Sequence, residues 1–254
     1  MINLQRLPNR EITLDEFFTI SDERVFAKGG ESVICRTDKK DTLFKFFVDR
    51  FGNFTDMSDN KLQKIMALYQ MNLSHSVHPV STITVGKYLV GYEMSYNPNA
   101  IELKKARLDQ ERKIEILERT KCILEYFASK DIVYGDVKSN NILLDPQTGE
   151  IEFCDMDNIQ LGKYPMDLVV EYVQPFKKCG KIELADAYNH NLMSLQQLGF
   201  PNDYPMFKEV LQALVREIYP SSFNKEAIPI FESMTLPRKF NGEYAIQYVK
   251  KQKR

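Results

Sequence analysis

Val133-Tyr134-Gly135-Asp136-Val137-Lys138-Ser139-Asn140-Asn141-Ile142-Leu143-Leu144, followed after a turn by Glu152-Phe153-Cys154-Asp155, is the most informative stretch of this 254-residue chain. Residues 141–144 and 151–154 read as two strands around the turn Asp145-Pro146-Gln147-Thr148-Gly149. The hairpin sets Asp136, Lys138 and Asn141 on one loop and Asp155 on the next. Carboxylate and amide oxygens suit a hard cation such as Mg²⁺, and an ammonium suits phosphate oxygens, so phosphoryl transfer is the chemistry these groups predict.

On either side of the hairpin the hydrophobic period changes twice. Residues 17–48 alternate apolar and polar positions, interrupted by Lys28-Gly29-Gly30 and Asp38-Lys39-Lys40-Asp41, which predicts three consecutive antiparallel strands. Leu62, Ile65, Met66 and Tyr69 recur at helical spacing after possible caps at Thr55 or Ser58, so a helix is expected over 56–72. Two more strands fit 81–85 and 87–94, with Gly86 at the bend. Asn97-Pro98-Asn99 is the linker candidate. Beyond it, 108–130 reads as an amphipathic helix, and further helices are expected at 186–198, 205–218 and 223–233. The pattern predicts an α+β chain: a five-stranded antiparallel sheet with one helix in residues 1–96, and a mostly helical part carrying the hairpin in 97–254.

Composition narrows the partners. Thirty-four Lys and Arg nearly balance 35 Asp and Glu, so no basic field is available to recruit nucleic acid, and none is expected as a partner. No run of about 18 apolar residues occurs, and the N-terminus lacks an apolar signal region, so no membrane segment is expected. Cys35, Cys122, Cys154 and Cys179 show no Cys-x-x-Cys spacing, which argues against a disulfide framework and for a reducing, cytoplasmic setting.

A β-rich part, a linker and a helical part with this hairpin together resemble the protein-kinase family, over roughly residues 20–200. The family's catalytic loop has an Asp, a Lys two residues on and an Asn five residues on, as Asp136, Lys138 and Asn141 are spaced here. The resemblance implies a bilobal protein-kinase-like fold, ATP and Mg²⁺ as cofactors, and a Ser/Thr protein kinase of compact, atypical kind acting on an unidentified protein. In that reading Asp136 handles the proton of the attacking hydroxyl, Lys138 neutralises charge on the moving phosphoryl group, and Asn141 and Asp155 hold Mg²⁺. Gly29 and Gly30 resemble a shortened phosphate-covering loop, Lys45 the strand lysine that pairs with phosphates, and Ile34 and Met94 the walls of an adenine pocket. Asp186 resembles the acid that opens the central helix of the large lobe and braces the catalytic loop.

The chain also departs from that pattern. No Glu occurs from Thr55 to Tyr92, where the family's small-lobe helix should offer one to Lys45. Asp59 across a shifted helix, another acid, or no partner at all are the alternatives. Asp155-Met156-Asp157 stands where Asp-Phe-Gly is expected, making Asp157 a further metal-ligand candidate, and Tyr134-Gly135 replaces His-Arg. The stretch after Asp186 is shorter than the family's large lobe usually carries, so its peptide-docking part is expected to be abridged. These departures keep open a pseudokinase that binds nucleotide or a protein without transfer, and Gly135-Asp136 keeps open a small-molecule kinase of the aminoglycoside or choline type. Lys138 speaks against the latter.

Overall fold

Leu43-Phe44-Lys45-Phe46-Phe47 forms the middle of the main sheet, and all six residues of its strand are buried. The computed structural model describes residues 7–49, 51–166, 177, 182 and 184–198. These fall into two units, one of the described residues up to Ala100 together with Cys154–Asp157, the other of Ile101–Phe153 together with the described residues from Asn158 onward. The expected helices at 205–218 and 223–233, and Cys179, lie outside the described residues.

The first unit runs β1 (Asn9–Ile12), α1 (Leu14–Glu23), β2 (Val25–Lys28), β3 (Ser32–Arg36), β4 (Thr42–Phe47), α2 (Asp59–Met71), β5 (Pro79–Val85) and β6 (Tyr88–Ser95). Its six strands are ordered β1-β5-β6-β4-β3-β2. Two expectations need correction. The sheet is six-stranded rather than five-stranded, and it is not wholly antiparallel, because β1 pairs with β5 in parallel. The unit also holds two helices instead of one, since α1 occupies the start of the stretch read as strand.

The physical reason for α1 is a capping box. Thr13 Oγ1 accepts from the Glu16 amide at 3.1 Å while Glu16 Oε2 accepts from the Thr13 amide at 2.8 Å, satisfying orphan donors at the helix start. Phe17 and Ile20, three residues apart, then bury one helical face in a core with Phe44, Phe46, Ile83 and Val90. The Phe17 ring meets Phe46 edge-on at 5.0 Å and Phe54 at 4.4 Å. Because side chains alternate along a strand, Phe44 and Phe46 face this core and Lys45 faces the other way.

Helix α2 begins one residue after its cap, Ser58, whose side chain accepts from the Lys61 amide, and ends on Asn72 in left-handed conformation. Gly91 in β6 has a structural duty: a Cβ there would collide with the backbone carbonyl of Lys45 on the neighbouring strand.

The second unit runs β7 (Ile101–Glu102), α3 (Gln110–Ala128), β8 (Ile132–Val133), β9 (Ile142–Leu144), β10 (Ile151–Phe153), β11 (Gln160–Leu161) and α4 (Leu184–Leu198). Strands order β10-β9-β7 in one sheet and β11-β8 in another. Phe153 anchors the hairpin, with its ring edge-on to Phe127 of α3 at 5.3 Å and to Tyr134 at 4.9 Å. Among the described residues no helix is long and apolar enough to cross a membrane.

Replacing Thr13 by Ala removes the side-chain oxygen that accepts from the Glu16 amide, leaving only the backbone half of the box, and should cost about 1 kcal/mol, a fall of about 2–4 °C in Tm. Thr13→Ser should retain most of that stability. Thermal melts followed by circular dichroism read both.

Candidate active site

In the first unit Lys45 stands on β4 between two partners in register, Ile34 of β3 and Tyr92 of β6. Only 4% of the residue is exposed. An ammonium so deep needs compensation, since an unpaired buried charge costs several kcal/mol. It receives two carboxylates: Asp155 Oδ1 at 3.0 Å and Asp157 Oδ1 at 2.5 Å. Burial alone would push the Lys45 ammonium down, but the two carboxylates hold it well above the ordinary lysine value.

The two acids differ in surroundings. The Asp155 side chain is 50% exposed, whereas that of Asp157 is 3% exposed. Asp157 Oδ1 also accepts from the Tyr92 hydroxyl at 2.9 Å, and its Oδ2 lies 3.4 Å from the Lys61 ammonium. Burial opposes its charge, yet Lys45 and Lys61 keep its carboxyl well below the usual carboxylate range. Burial, and then the negative Asp157, push the Tyr92 hydroxyl well above its ordinary value. Asp155 itself adopts a left-handed backbone, φ 57°, which Asp tolerates better than most residues, and Met156 between the acids is buried.

Sequence reasoning left the partner of Lys45 open, and the structure answers with acids from beyond β10. Asp59 only opens α2, and Asp56 accepts from the backbone amides of Met57 and Leu89. Asp157, considered as a metal ligand, is engaged with two lysines and a tyrosine. Lys61 and Tyr92 are members that sequence reasoning missed. Lys61 lies in the first turn of α2, where the helix dipole disfavours a cation, and Asp157 compensates. Its ammonium also stands 4.4 Å above the Phe47 ring and 4.0 Å from Glu31.

Of the other expected nucleotide residues, Ile34 is half-buried on β3 and Met94 is buried on β6 opposite Leu43. Gly29 and Gly30 form the exposed β2–β3 turn, closed by the Gly29 amide donating to Ser32 O at 2.8 Å. Neither glycine has a positive φ, and a Cβ on Gly30 would meet nothing within 4 Å.

In the second unit Asp136, Lys138 and Asn141 converge. Asp136 Oδ2 accepts from Lys138 Nζ at 2.5 Å and from Asn141 Nδ2 at 2.9 Å, and the same Asn141 nitrogen donates to the Asp136 carbonyl at 3.1 Å. The loop is braced from α4. Buried Asp186 accepts from the Tyr134 amide at 2.7 Å and the Gly135 amide at 2.5 Å, while Asn189 Nδ2 donates to Gly135 O at 2.8 Å. Gly135 takes φ 81°, and a Cβ there would strike the Met166 side chain. Glycine before Asp136 is therefore demanded by this bend.

Among the described residues no group of three or more His, Cys, Asp or Glu side chains is gathered to hold a metal ion.

No protein-family model matches the chain. The chain is similar to the serine/threonine-protein kinase YPK1 of Saccharomyces cerevisiae, 25% identical over 244 residues, which is 86% of this chain and 34% of that protein. It thus spans about a third of the relative's length. The similarity suggests a kinase-like family and hints at a phosphotransferase.

Behind the braced loop, buried His190 of α4 binds Leu117 O through Nε2 at 3.0 Å, and its Nδ1 has no hydrogen-bond partner among the described residues. Burial pushes its pKa down to about 4 from an ordinary 6.5. The unfolded chain therefore takes up this proton first, so the stability is intact above pH 6.5 and is lost as pH falls through the window toward 4, by up to about 3 kcal/mol. Tm should fall between pH 7 and pH 5, and His190→Gln, which cannot titrate, should shrink that fall. Circular-dichroism melts across the pH series check it.

Proposed function

We propose that this chain is an ATP-dependent phosphotransferase, a compact Ser/Thr protein kinase that moves the γ-phosphate of ATP to a hydroxyl on a protein substrate in the cytoplasm. The observation that carries the reading is the pairing of Lys45 with Asp155, residues 110 positions apart that the resemblance assigns separately to phosphate and to Mg²⁺.

In this reading Lys45 offers its ammonium to nucleotide phosphates, and Gly29 and Gly30 keep their turn free of side chains so that backbone amides approach them. Ile34 and Met94 supply apolar contact for the adenine. Asp155 and Asn141 would hold Mg²⁺, whose chemistry is to neutralise charge on the phosphate oxygens. Asp136 accepts the proton of the substrate hydroxyl, oriented by the bonds it receives from Lys138 and Asn141. Lys138 then offsets charge on the transferred group. The competing pseudokinase reading draws on the missing helix acid and on the altered Asp-Phe-Gly; the carboxylates at Lys45 supply a substitute for the first.

With labelled ATP, Mg²⁺ and a generic protein substrate, the chain should label protein, and Asp136→Ala should cut the rate by about 10²–10⁴-fold. Lys45→Met should weaken nucleotide use as well. Label passing only to a metabolite would establish a small-molecule kinase, and a nucleotide-dependent rise in Tm without transfer would establish a pseudokinase. The absence of both transfer and a nucleotide-dependent Tm shift would overturn the proposal.

A further inference from the structure

Lys45 has two acids where one would neutralise it, and their surroundings are unequal. Asp157 has both oxygens occupied, one by Lys45 and the Tyr92 hydroxyl, the other by Lys61, and it is buried. Withdrawing it would leave Lys45 only the half-exposed Asp155 and Lys61 only the half-exposed Glu31, 4.0 Å away. Asp155 has a half-exposed side chain, and its departure would leave Lys45 still paired. Charge count agrees: the buried groups Lys45, Lys61 and Asp157 together carry one net positive charge, answered by half-exposed Asp155 on the Lys45 side and half-exposed Glu31 on the Lys61 side. A divalent cation drawing Asp155 away would leave that positive charge beside the place where anionic phosphates arrive.

We infer that Asp157 is the permanent positioning residue for Lys45, clamped by Lys61 of α2 and Tyr92 of β6, while Asp155 is the exchangeable partner, released from Lys45 when a metal–phosphate ligand binds. The functional half of this rests on the phosphotransferase reading; the structural half, that Asp157 and not Asp155 holds Lys45 in place, stands without it.

The test uses the full chain, with folding of each variant checked by circular dichroism. Reductive methylation at a fixed pH, quantified for Lys45 by peptide mass spectrometry, reads how firmly the ammonium is held without any nucleotide. Lys45 should be protected in the wild type, modified about tenfold faster in Asp157→Asn, and changed by less than about twofold in Asp155→Asn. Equal acceleration in the two variants, or none in Asp157→Asn, would overturn the inference. Should Asp157→Asn fail to fold, Lys61→Met and Tyr92→Phe retain the acid and remove its clamps. Each should then accelerate modification about threefold, and unchanged rates in both would overturn it equally.

Kinetics supply the second reading. Asp157→Asn should raise the KM for ATP by about tenfold with a smaller effect on kcat, whereas Asp155→Asn should lower kcat chiefly. The reverse split would overturn the assignment of roles. If the wild type transfers no phosphate, the phosphotransferase reading falls, and the methylation rates still decide which acid positions Lys45.

Discussion

A charged ammonium on the most buried strand of a sheet is the constraint around which the first unit is organised. Lys45 cannot reach water from the middle of β4, so its charge must be met inside the protein or given up. Removing one partner from a buried pair typically costs about 3–5 kcal/mol, more than most single side chains contribute. The protein meets that demand with carboxylates from a four-residue segment, Cys154–Asp157, that belongs with the sheet although the chain before and after it belongs to the second unit. A stretch that reads locally as a turn after a strand is thereby a structural member of a sheet whose nearest strand in sequence ends 59 residues earlier, at Ser95.

The second unit solves a different problem, how to hold a loop of polar residues in one shape. Neither Asp136 nor Lys138 is deep enough for packing to fix it, with side chains 28% and 50% exposed. Order comes instead from Asp186, buried at the start of α4, whose two oxygens each take a backbone amide of the loop. Charge-assisted bonds of this kind are stronger than neutral ones, and the two together fix the direction of the peptide planes ahead of Asp136. With Gly135 supplying the left-handed bend, the backbone brings Asp136 to where Asn141 Nδ2 bonds both its carboxylate and its carbonyl.

Much of this could be read from residue order, and the failures have identifiable causes. The α+β class, the helix 59–71, the 142–153 hairpin and the meeting of Asp136, Lys138 and Asn141 follow from period and spacing, which are local properties. Helix α1 falls where the apolar pattern predicts strand because Phe17, Phe18 and Ile20 fit either period over so short a run, although Thr13 and Glu16 carry a capping signal that settles it. The parallel strand β1 pairs with residues 73 positions away, a separation at which no local pattern speaks. The partners of Asp157 were hidden for a similar reason: Lys61 sits on a helix that reads as merely amphipathic, and the register pairing Lys45 with Tyr92 is a property of the folded sheet.

Three features of the Lys45 surroundings become one when their charges are considered together. Helix α2 gives Lys45 no acid, Asp157 stands where the resembled motif has a glycine, and the helix presents Lys61. Each change alone would be damaging: without the helix acid Lys45 lacks a buried counter-charge, and Asp157 alone would bring a second carboxylate beside Asp155 with one cation between them. Lys61 completes the balance, and the two-residue spacing through Met156 lets both acids reach the same ammonium. An acid at position 61 would have set a second carboxylate against Asp157, a repulsion that burial makes severe. The charge at position 61 and the carboxylate at position 157 are therefore coupled, and the buried counter-charge of Lys45 comes from the segment that carries Asp155 itself.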